Sequence, residues 1–455
     1  MKYEPTIGLE IHAELNTRTK MFCNCLNNPD EERPNWNICP VCMGHPGTLP
    51  VINKEALQSV LKIGKAVGGT LADLSEFDRK NYFYPDIPKG YQISQYKCPL
   101  VSGGELAGVA ITRVHLEEDT ATSIHKGENS LVNFNRAGVP LMELVTEPGI
   151  HSSAEAVKFG KELQLLLQYL GVAEANMEKG EMRLEANVSV SDSEKLGTKV
   201  EIKNLNSFKV AEKAIDYEIK RQSEVLKKGE KVVQETRGWN EAKGETYSQR
   251  QKEESHDYRY FPDPDLPKLS LQRFEIEQIP ETPVQKRERF ASVYKIKESD
   301  VEFYIGNIKL GNLFESAVKA GVTDSQLLSN YIVSDLASVG EQSLNLNPAD
   351  LAELISMIEK SEISSRGAKD ILAIMIASGD NPKNIAEEKN LFQKSNTEEL
   401  KAIVDKILSA NTAVVAEYKA GKVASLQYLV GQTMKESKGS GNPMLIREIL
   451  IEALK

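Results

Sequence analysis

Residues 7–15, with the sequence IGLEIHAEL, decide the fold class of the front half of this 455-residue chain. Every second residue is apolar and the residues between are Gly, Glu or His, which is the alternation of a β-strand with one buried face. Residues 182–190 and 198–204 alternate in the same way. Glu10 and His12 share the polar face of the first strand. We therefore expect an antiparallel sheet in the front half.

Two helices are indicated in the same half. One begins with the capping box Ser152-Ser153-Ala154-Glu155 and stops at Gly171, and the other starts after Ser207 and ends at Gly229. Two helices are too few for a doubly wound parallel sheet, and no glycine-rich phosphate loop follows a strand. Beyond the acidic, proline-containing passage 263–283, helical periodicity continues to the end of the chain.

The sequence thus predicts an α+β chain, and its length suggests about three domains. We predict an antiparallel-sheet domain at residues 1–285, an all-α helical domain at 286–395 and a small α-helical tail domain at 396–455. The last boundary is placed near Asn396 only because the sequence there is loop-like.

Composition excludes several classes of protein. The chain has 56 Lys and Arg against 66 Asp and Glu, a formal net charge of -10, which argues against a general nucleic-acid binder but leaves a local RNA-binding patch open. No apolar run approaches the ~20 residues of a membrane helix. The N-terminal residues show neither a secretory nor a transit pattern, and five cysteines do not indicate a disulfide framework. We expect a cytoplasmic enzyme or a component of an assembly, without membrane partners.

Four of the five cysteines form one cluster, Cys23-x-Cys25 and then Cys39-Pro-Val-Cys42-Met-Gly. Two thiolate pairs at this spacing are typical of a closed tetrahedral zinc site, which would fold the segment and leave no open coordination position. We predict structural zinc at residues 23–42. The alternative is four unrelated buried thiols.

Acidic residues also recur on predicted strands. Glu10 and His12 lie on one strand, residues 117–119 end a second, and Glu185 lies on a third. Carboxylates that converge from separate strands suit Mg²⁺, although His12 would be an unusual ligand and would favour Mn²⁺ or an outer position. Glu118 shares its strand face with apolar residues, so it needs a partner there. The alternative is that these are ordinary exposed strand residues.

Two segments, 77–86 and 257–262, interleave basic residues with aromatic ones. They could contact phosphate, a base or a polar conduit, or form a loop-side core. The known amidase, Walker A and protein-kinase motifs do not occur in the chain. If the chain uses ATP, it does so with a different architecture.

Together these strings resemble the B subunit of the glutamine-dependent tRNA amidotransferases. The resemblance extends in order over the chain, through residues 7–12 (IGLEIH), 77–86 (FDRKNYFYPD), 115–119 (HLEED), 135–141 (NRAGVPL), 203–208 (KNLNSF), 257–262 (DYRYFP) and 430–435 (VGQTMK). It implies a catalytic domain called the cradle, which uses ATP to phosphorylate the side-chain carboxylate of misacylated Glu-tRNA(Gln) or Asp-tRNA(Asn). An amidase partner, the glutaminase of the complex, would supply ammonia through a channel, and a small third protein would complete a heterotrimer.

The resemblance also implies site residues. Glu10, His12, Glu118 and Glu185 match positions around the catalytic Mg²⁺, where Glu185 replaces the usual Asp and makes the geometry at that position less certain. The ammonia channel would be lined by Lys80, Lys89, Glu178 and Glu118, and the cysteines match the zinc-bearing branch of the family. The tRNA contacts would be Lys435 and Lys438 in the tail domain.

Three other functions remain open at this point. The chain could be a non-catalytic tRNA-binding scaffold of the same complex. It could be the archaeal Glu-specific relative, but 455 residues leave no room for that protein's extra domain. A free-standing zinc RNA-binding module fits poorly with the acidic charge and the long α+β half.

Overall fold

The computed structural model describes residues 3–251, 255–393, 397–437 and 441–454. The chain forms two compact units, Met1–Pro283 and Val284–Lys455. Within the described residues, all seventeen strands lie in the first unit. They are β1 (Glu4–Glu14), β2 (Thr70–Leu71), β3 (Leu74–Ser75), β4 (Asp78–Asn81), β5 (Tyr91–Ser94), β6 (Val101–Ser102), β7 (Glu105–Leu106), β8 (Val109–Glu118), β9 (Thr122–Lys126), β10 (Asn129–Asn133), β11 (Pro140–Thr146), β12 (Met182–Ser191), β13 (Val200–Leu205), β14 (Glu235–Asn240), β15 (Glu245–Gln251), β16 (Phe261–Pro262) and β17 (Leu269–Ser270).

Ten strands form one large sheet in which β1 is central. The order is β15-β14-β13-β12-β1-β11-β8-β6-β2, and β7 pairs with β8 beside this path. The pairs are antiparallel except β13 with β14, which is parallel. The exception arises because a long helix joins β13 to β14, and a crossover connection returns the chain in the same direction. The predicted α+β fold is confirmed, with one parallel pair added.

Three helices accompany this sheet, namely α1 (Lys54–Ala66), α2 (Ser153–Tyr169) and α3 (Phe208–Lys227). The predicted capping signals are confirmed. The Ser152 side chain accepts a hydrogen bond from the Glu155 N–H at 3.2 Å, and the Glu155 carboxylate accepts one from the His151 N–H at 2.9 Å. Ser207 caps α3 by accepting from the Val210 N–H at 3.1 Å.

The core of the first unit lies on the apolar face of the sheet. Alternate residues of β1, among them Ile7, Leu9 and Ile11, are 0–1% exposed and belong to one large hydrophobic cluster with residues of α1, α2 and α3. The other face of β1 carries the polar side chains. The strand therefore separates the core from the polar face, where the candidate site lies.

The second unit is helical. Its helices, the first of which begins at Pro283, are α4 (Pro283–Arg289), α5 (Glu298–Gly306), α6 (Ile308–Lys319), α7 (Ser325–Tyr331), α8 (Pro348–Glu359), α9 (Ser365–Ser378), α10 (Pro382–Glu388), α11 (Thr397–Ala410), α12 (Thr412–Lys419), α13 (Ala424–Glu436) and α14 (Pro443–Leu454). Helices α11 to α14 bury a hydrophobic cluster of their own, which includes Val404, Leu429 and Leu450. The predicted boundary at residue 396 lies outside the described residues, so the division into helical and tail domains stays a prediction. In the part of the chain that the structure describes, no helix is long and apolar enough to cross a membrane.

Candidate active site

The register of the central strands gathers acidic and histidine side chains on the polar face. Glu10 on β1 lies opposite Glu185 on β12, and His12 on β1 lies opposite Glu143 on β11. Glu143 in turn lies opposite His115 on β8. Side chains at directly opposite positions are close enough to interact, and like charges there oppose folding. The sheet thus places carboxylates together at a cost in stability.

His12 is the centre of this group. Its Nε2 lies 3.2 Å from Glu117 Oε1, 3.4 Å from Glu143 Oε2 and 3.9 Å from Glu10 Oε1. His115 Nε2 lies 3.5 Å from Glu143 Oε2. We call this set, Glu10, His12, His115, Glu117 and Glu143, the acidic cluster.

The electrostatics of the acidic cluster follow from burial and proximity. Burial, then the charges of Glu143 and Glu185, raises the pKa of Glu10 to about 7. Burial lowers the pKa of His12, but hydrogen bonds to Glu117 and Glu143 outweigh it, so the His12 pKa lies well above its usual value. The imidazolium of His12 thus offsets part of the negative charge of its neighbours.

The donor set of the acidic cluster fits a divalent cation. Possible ligand atoms of Glu10, His12 and Glu143 all lie within 4.8 Å of one another, and so do those of His115, Glu117 and Glu143. Glu117 Oε2 is buried, and no hydrogen-bond partner occurs for it among the described residues. An orphaned buried carboxylate oxygen is costly unless a cation meets it. The oxygen-rich set suits Mg²⁺, with imidazole nitrogen also acceptable to Mn²⁺.

Glu185 flanks the acidic cluster. It forms a third possible ligand group with Glu10 and Glu201, again with the ligand atoms within 4.8 Å. Lys203 Nζ lies 2.8 Å from Glu185 Oε2. Glu185 is therefore held by a cationic partner of its own, Lys203.

The structure does not bring Glu118 to the acidic cluster. Successive residues of a strand point to opposite faces, so Glu117 faces His12 and Glu118 faces away from it. Glu118 Oε1 pairs with Lys89 Nζ and accepts a hydrogen bond from the Ile93 N–H at 2.9 Å. The buried Glu118 carboxylate therefore has the partner that it was expected to need, but that partner is Lys89 and not a metal shared with Glu10.

The other predicted channel residues are divided. Lys80 lies 5.0 Å from the centre of the Tyr258 ring, and the charges of Glu117 and Glu143 outweigh burial to raise its pKa well above the usual value. It therefore faces the acidic cluster. Glu178 is exposed, and its N–H donates to Asn176 Oδ1 at 2.9 Å. The structure does not bring Glu178 together with Lys80.

Aromatic residues of the two basic-aromatic segments meet around Lys80. Tyr82 and Tyr258 pack edge to face with ring centres 6.0 Å apart, and Tyr258 packs likewise on Tyr260 at 6.1 Å. Strand β16 pairs with β4, which joins the two segments. Segments 77–86 and 257–262, which share the pattern of interleaved basic and aromatic residues, are thus in direct contact.

The four clustered cysteines converge as predicted from their spacing. The sulfur atoms of Cys23, Cys25, Cys39 and Cys42 all lie within 4.8 Å of one another. Zinc with bonds of ~2.3 Å would space four sulfurs by roughly 3.8 Å, which is compatible with this limit. The Cys39 N–H points at Cys42 Sγ at 3.2 Å, and the buried Lys20 lies beside the group, where its charge would offset that of a tetrathiolate site. We call residues 23–42 the cysteine knuckle.

Of the predicted tRNA contacts, Lys435 lies in the last turn of α13. Lys438 lies outside the described residues. Three members of the acidic cluster, His115, Glu117 and Glu143, were missed as site residues. The signal for Glu143 is a single acid inside the apolar strand β11, PLMELVT, in which its neighbours are buried.

Comparison with known proteins shows which class of protein has this fold and site. The GatB/GatE catalytic domain matches residues 5–277, which include the acidic cluster and the cysteine knuckle, and the GatB domain matches residues 312–454. The B subunit of the aspartyl/glutamyl-tRNA(Asn/Gln) amidotransferase of Persephonella marina is 44% identical over 475 residues, with 100% of both chains covered. The protein of the same name from Picosynechococcus sp. is 41% identical over 488 residues, with 100% of this chain and 98% of that one covered. The chain belongs to the family of B subunits of the aspartyl/glutamyl-tRNA(Asn/Gln) amidotransferases.

Proposed function

We propose that this chain carries the ATP-dependent step of a glutamine-dependent tRNA amidotransferase and holds the misacylated tRNA during amidation. The side-chain carboxylate of Glu-tRNA(Gln), Asp-tRNA(Asn) or both attacks the γ-phosphate of ATP and releases ADP. Ammonia then displaces phosphate from the acyl phosphate and forms the amide of Gln-tRNA(Gln) or Asn-tRNA(Asn). The overall reaction is a ligation that forms a carbon–nitrogen bond with glutamine as the amide donor.

The observation that carries this proposal is the acidic cluster, because its carboxylates converge and Glu117 Oε2 is buried with no hydrogen-bond partner among the described residues. Glu10, His12, Glu117 and Glu143 would hold Mg²⁺, and Glu185 would flank it. When bound, Mg²⁺ offsets negative charge on the transferring phosphoryl group. His12 directs Nε2 at the same oxygens of Glu117 and Glu143, so cation binding competes with the His12 proton. The sheet holds these side chains in place before substrate arrives, which limits reorganisation during the reaction.

The ammonia route is proposed to pass the Lys89–Glu118 ion pair and Lys80. Alternating charges support it, because a polar and partly desolvated path lets a carboxylate remove the proton of NH₄⁺ and leaves the neutral nucleophile. Glu118 is proposed for this route alone, since it faces away from the acidic cluster. Glu178 is kept as a proposed surface member of the route.

The remaining assignments follow from the family. An amidase (glutaminase) protein and a small third protein are the proposed partners in a heterotrimer, with structural Zn²⁺ in the cysteine knuckle and cytoplasmic localisation. Residues 1–285 are proposed as the catalytic cradle, 286–395 as the helical domain and 396–455 as the tail domain. Lys435 and Lys438 of the tail are proposed to contact tRNA phosphates.

The test uses the chain co-expressed with its amidase and small partners. With Glu-tRNA(Gln) or Asp-tRNA(Asn), ATP and Mg²⁺ but no glutamine, we expect tRNA-dependent release of ADP. Glu10→Gln should abolish this release, because it removes a ligand charge from the acidic cluster. Glu128→Gln, on the exposed hairpin between β9 and β10, should leave it unchanged.

Release of ADP that survives Glu10→Gln, with tRNA binding intact, would contradict the proposal. The chain would then be a non-catalytic scaffold that holds the acceptor end of the tRNA.

A further inference from the structure

One cavity borders both the cysteine knuckle and the Lys89–Glu118 ion pair. It has a volume of about 250 Å³, and its lining includes Cys23 and Cys42 of the knuckle, the following Gly44, and Lys89 and Glu118. The zinc site and the proposed ammonia route therefore share a wall. A closed zinc site has no direct access to substrate, so any influence on the route acts through packing.

Gly44 packs tightly on the stem of Lys89. It follows Cys42 by two residues, has a φ of +65°, and donates its N–H to the Val41 carbonyl at 3.0 Å. A Cβ atom at Gly44 would lie 2.5 Å from Lys89 Cγ and 3.2 Å from Lys89 Cα. Because both atoms are near the backbone, Lys89 could not avoid this Cβ by moving only its tip. The position of Gly44 thus fixes where the Lys89 side chain begins.

The other partner of the ion pair, Glu118, is separated from the knuckle by a single glycine. Gly138 lies between them, since a Cβ atom there would be 3.6 Å from Cys42 Cβ and 3.9 Å from Glu118 Oε2. The Gly138 N–H donates to the Asp119 carbonyl at 2.9 Å, and the Gly138 carbonyl accepts from the Met21 N–H at 2.8 Å. Glu118 is thereby held from the strand side and Lys89 from the knuckle side.

We propose that the cysteine knuckle holds Lys89 in its ion pair with Glu118, and that Gly44 is the positioning residue through which it does so. The proposal deepens the proposed function and rests on it, because the ion pair matters to the reaction only as part of the ammonia route. Four thiolates on one metal ion fix the knuckle backbone. Loading of the knuckle therefore fixes Gly44, and Gly44 fixes Lys89.

The first experiment measures Lys89 directly and does not depend on activity. The zinc-loaded full chain is treated with acetic anhydride, and the acetylation rate of each lysine is followed by mass spectrometry, with the exposed Lys401 as the reference. In Gly44→Ala we expect Lys89 to react several-fold faster, because its Nζ leaves the ion pair. Gly47→Ala is the matched control, since Gly47 has a φ of +84° but no atom within 4 Å of its Cβ position.

Equal Lys89 rates in Gly44→Ala and Gly47→Ala would overturn the proposal. If Gly44→Ala does not fold, the same labelling is done on the wild-type chain before and after zinc is removed by a chelator. A several-fold rise at Lys89 over Lys401 supports the proposal, and an unchanged Lys89 rate overturns it.

The second experiment measures the consequence in the complex with the amidase partner. We expect Gly44→Ala to raise the glutamate released per amide formed several-fold, while ADP release without glutamine stays at the wild-type rate. In a Lys89→Ala background, Gly44→Ala should not raise the glutamate released per amide any further, because a residue that acts through Lys89 has nothing left to position.

The proposal would be overturned if Gly44→Ala released no more glutamate per amide formed than the wild type. It would also be overturned if Gly44→Ala raised this ratio by the same factor in the Lys89→Ala background. Failure of the proposed function gives a different result, since tRNA-dependent ADP release would then be absent from the wild-type complex or would survive Glu10→Gln. The labelling experiment would still decide whether the knuckle positions Lys89.

Discussion

Glu143 in the central sheet and Asp300 in the helical unit are both buried carboxylates with different neighbours. Asp300 Oδ2 accepts hydrogen bonds from Ser329 Oγ at 2.9 Å and from Gln326 Nε2 at 2.8 Å. Glu143 shares the acidic cluster with Glu117 and Glu10, and His12 and Arg113 bring the nearby positive charge. Neutral donors gathered on one carboxylate are typical of a structural role, whereas carboxylates that face one another need positive charge beside them.

This comparison separates two consequences of removing a buried acid. Loss of Asp300 leaves the hydroxyl of Ser329 without its acceptor and the amide of Gln326 with only Asn330 Oδ1, which lowers stability. Loss of charge at Glu143 relieves its repulsion of Glu10 but removes a partner of His12 and Arg113 and a possible metal ligand. Substitutions at the two positions should therefore differ in whether they change activity.

Of the substitutions that test this comparison, Glu143→Gln is expected to have the largest effect. Loss of a residue that only supports a metal ligand costs 10–100-fold, so loss of a direct ligand should lower tRNA-dependent ADP release by at least about 100-fold. The measurement is ADP release by the complex without glutamine. Glu212→Gln, on the exposed face of α3, should behave as the wild type. Normal release from Glu143→Gln would remove Glu143 from the site.

Asp300→Ala should have the next largest effect, on stability instead of activity. It leaves the buried Ser329 hydroxyl without its acceptor and removes one of the two acceptors of the half-buried Gln326 amide, at a cost of roughly 2 kcal/mol in the free energy of unfolding. Denaturant unfolding measures this cost, and ADP release per folded molecule should not change. Glu298→Ala, an exposed residue in the first turn of α5, should cost only a few tenths of a kcal/mol. Equal losses in the two variants would contradict the structural role of Asp300.

Added divalent cation should then stabilise the chain through the acidic cluster. At a Mg²⁺ or Mn²⁺ concentration ten times its Kd, binding to the folded state contributes about 1.4 kcal/mol and raises Tm. Glu143→Gln should lose most of this gain, while Asp300→Ala should keep it. A gain of the same size in Glu143→Gln would show that the cation binds elsewhere.

The sequence was sufficient for strands β1, β12 and β13, for helices α2 and α3 but not α1, and for the face on which the site lies. Alternation in residues 7–15 placed Glu10 and His12 on the polar side of β1, and the capping residues Ser152 and Ser207 placed two helix starts. Each of these signals is local, because one strand or one helical turn contains all the residues involved. The parallel pair β13–β14 depended on the path of a connection, which strand alternation does not specify.

The membership of the acidic cluster was less predictable. Glu117 and Glu118 are adjacent, and the choice between them depended on which face of β8 turns toward β1. The alternation in β8 places Glu118 on the same face as the apolar residues of that strand and Glu117 on the polar face. The structure agrees with this pattern. Glu143 joins the group only through the register of β11 with β1, which pairs it with His12 across a sequence separation of 131 residues. Register is set by long-range packing and is not visible in a single strand.

The smallest predicted effect is on how the free energy of unfolding depends on pH. It tests whether the carboxylates of the acidic cluster repel one another. The folded-state pKa of Glu10 is about 7 against an ordinary value of 4.5, so the folded chain binds more protons than the unfolded chain between these values. Stability therefore falls as pH rises through this window and is constant above it. Glu10→Gln stays uncharged and lacks this loss.

We expect the wild type to lose on the order of 1 kcal/mol relative to Glu10→Gln between pH 5.5 and 8, without added divalent cation. Denaturant unfolding at the two pH values measures the difference. Glu14, whose pKa burial raises to about 7, titrates in the same window but is present in both proteins, so its contribution cancels. Parallel stability profiles would mean that the carboxylates around Glu10 do not repel it. Saturating Mg²⁺ should also make the profiles parallel, because a bound cation favours the ionised form of Glu10 and removes the opposition that distinguishes this cluster from Asp300.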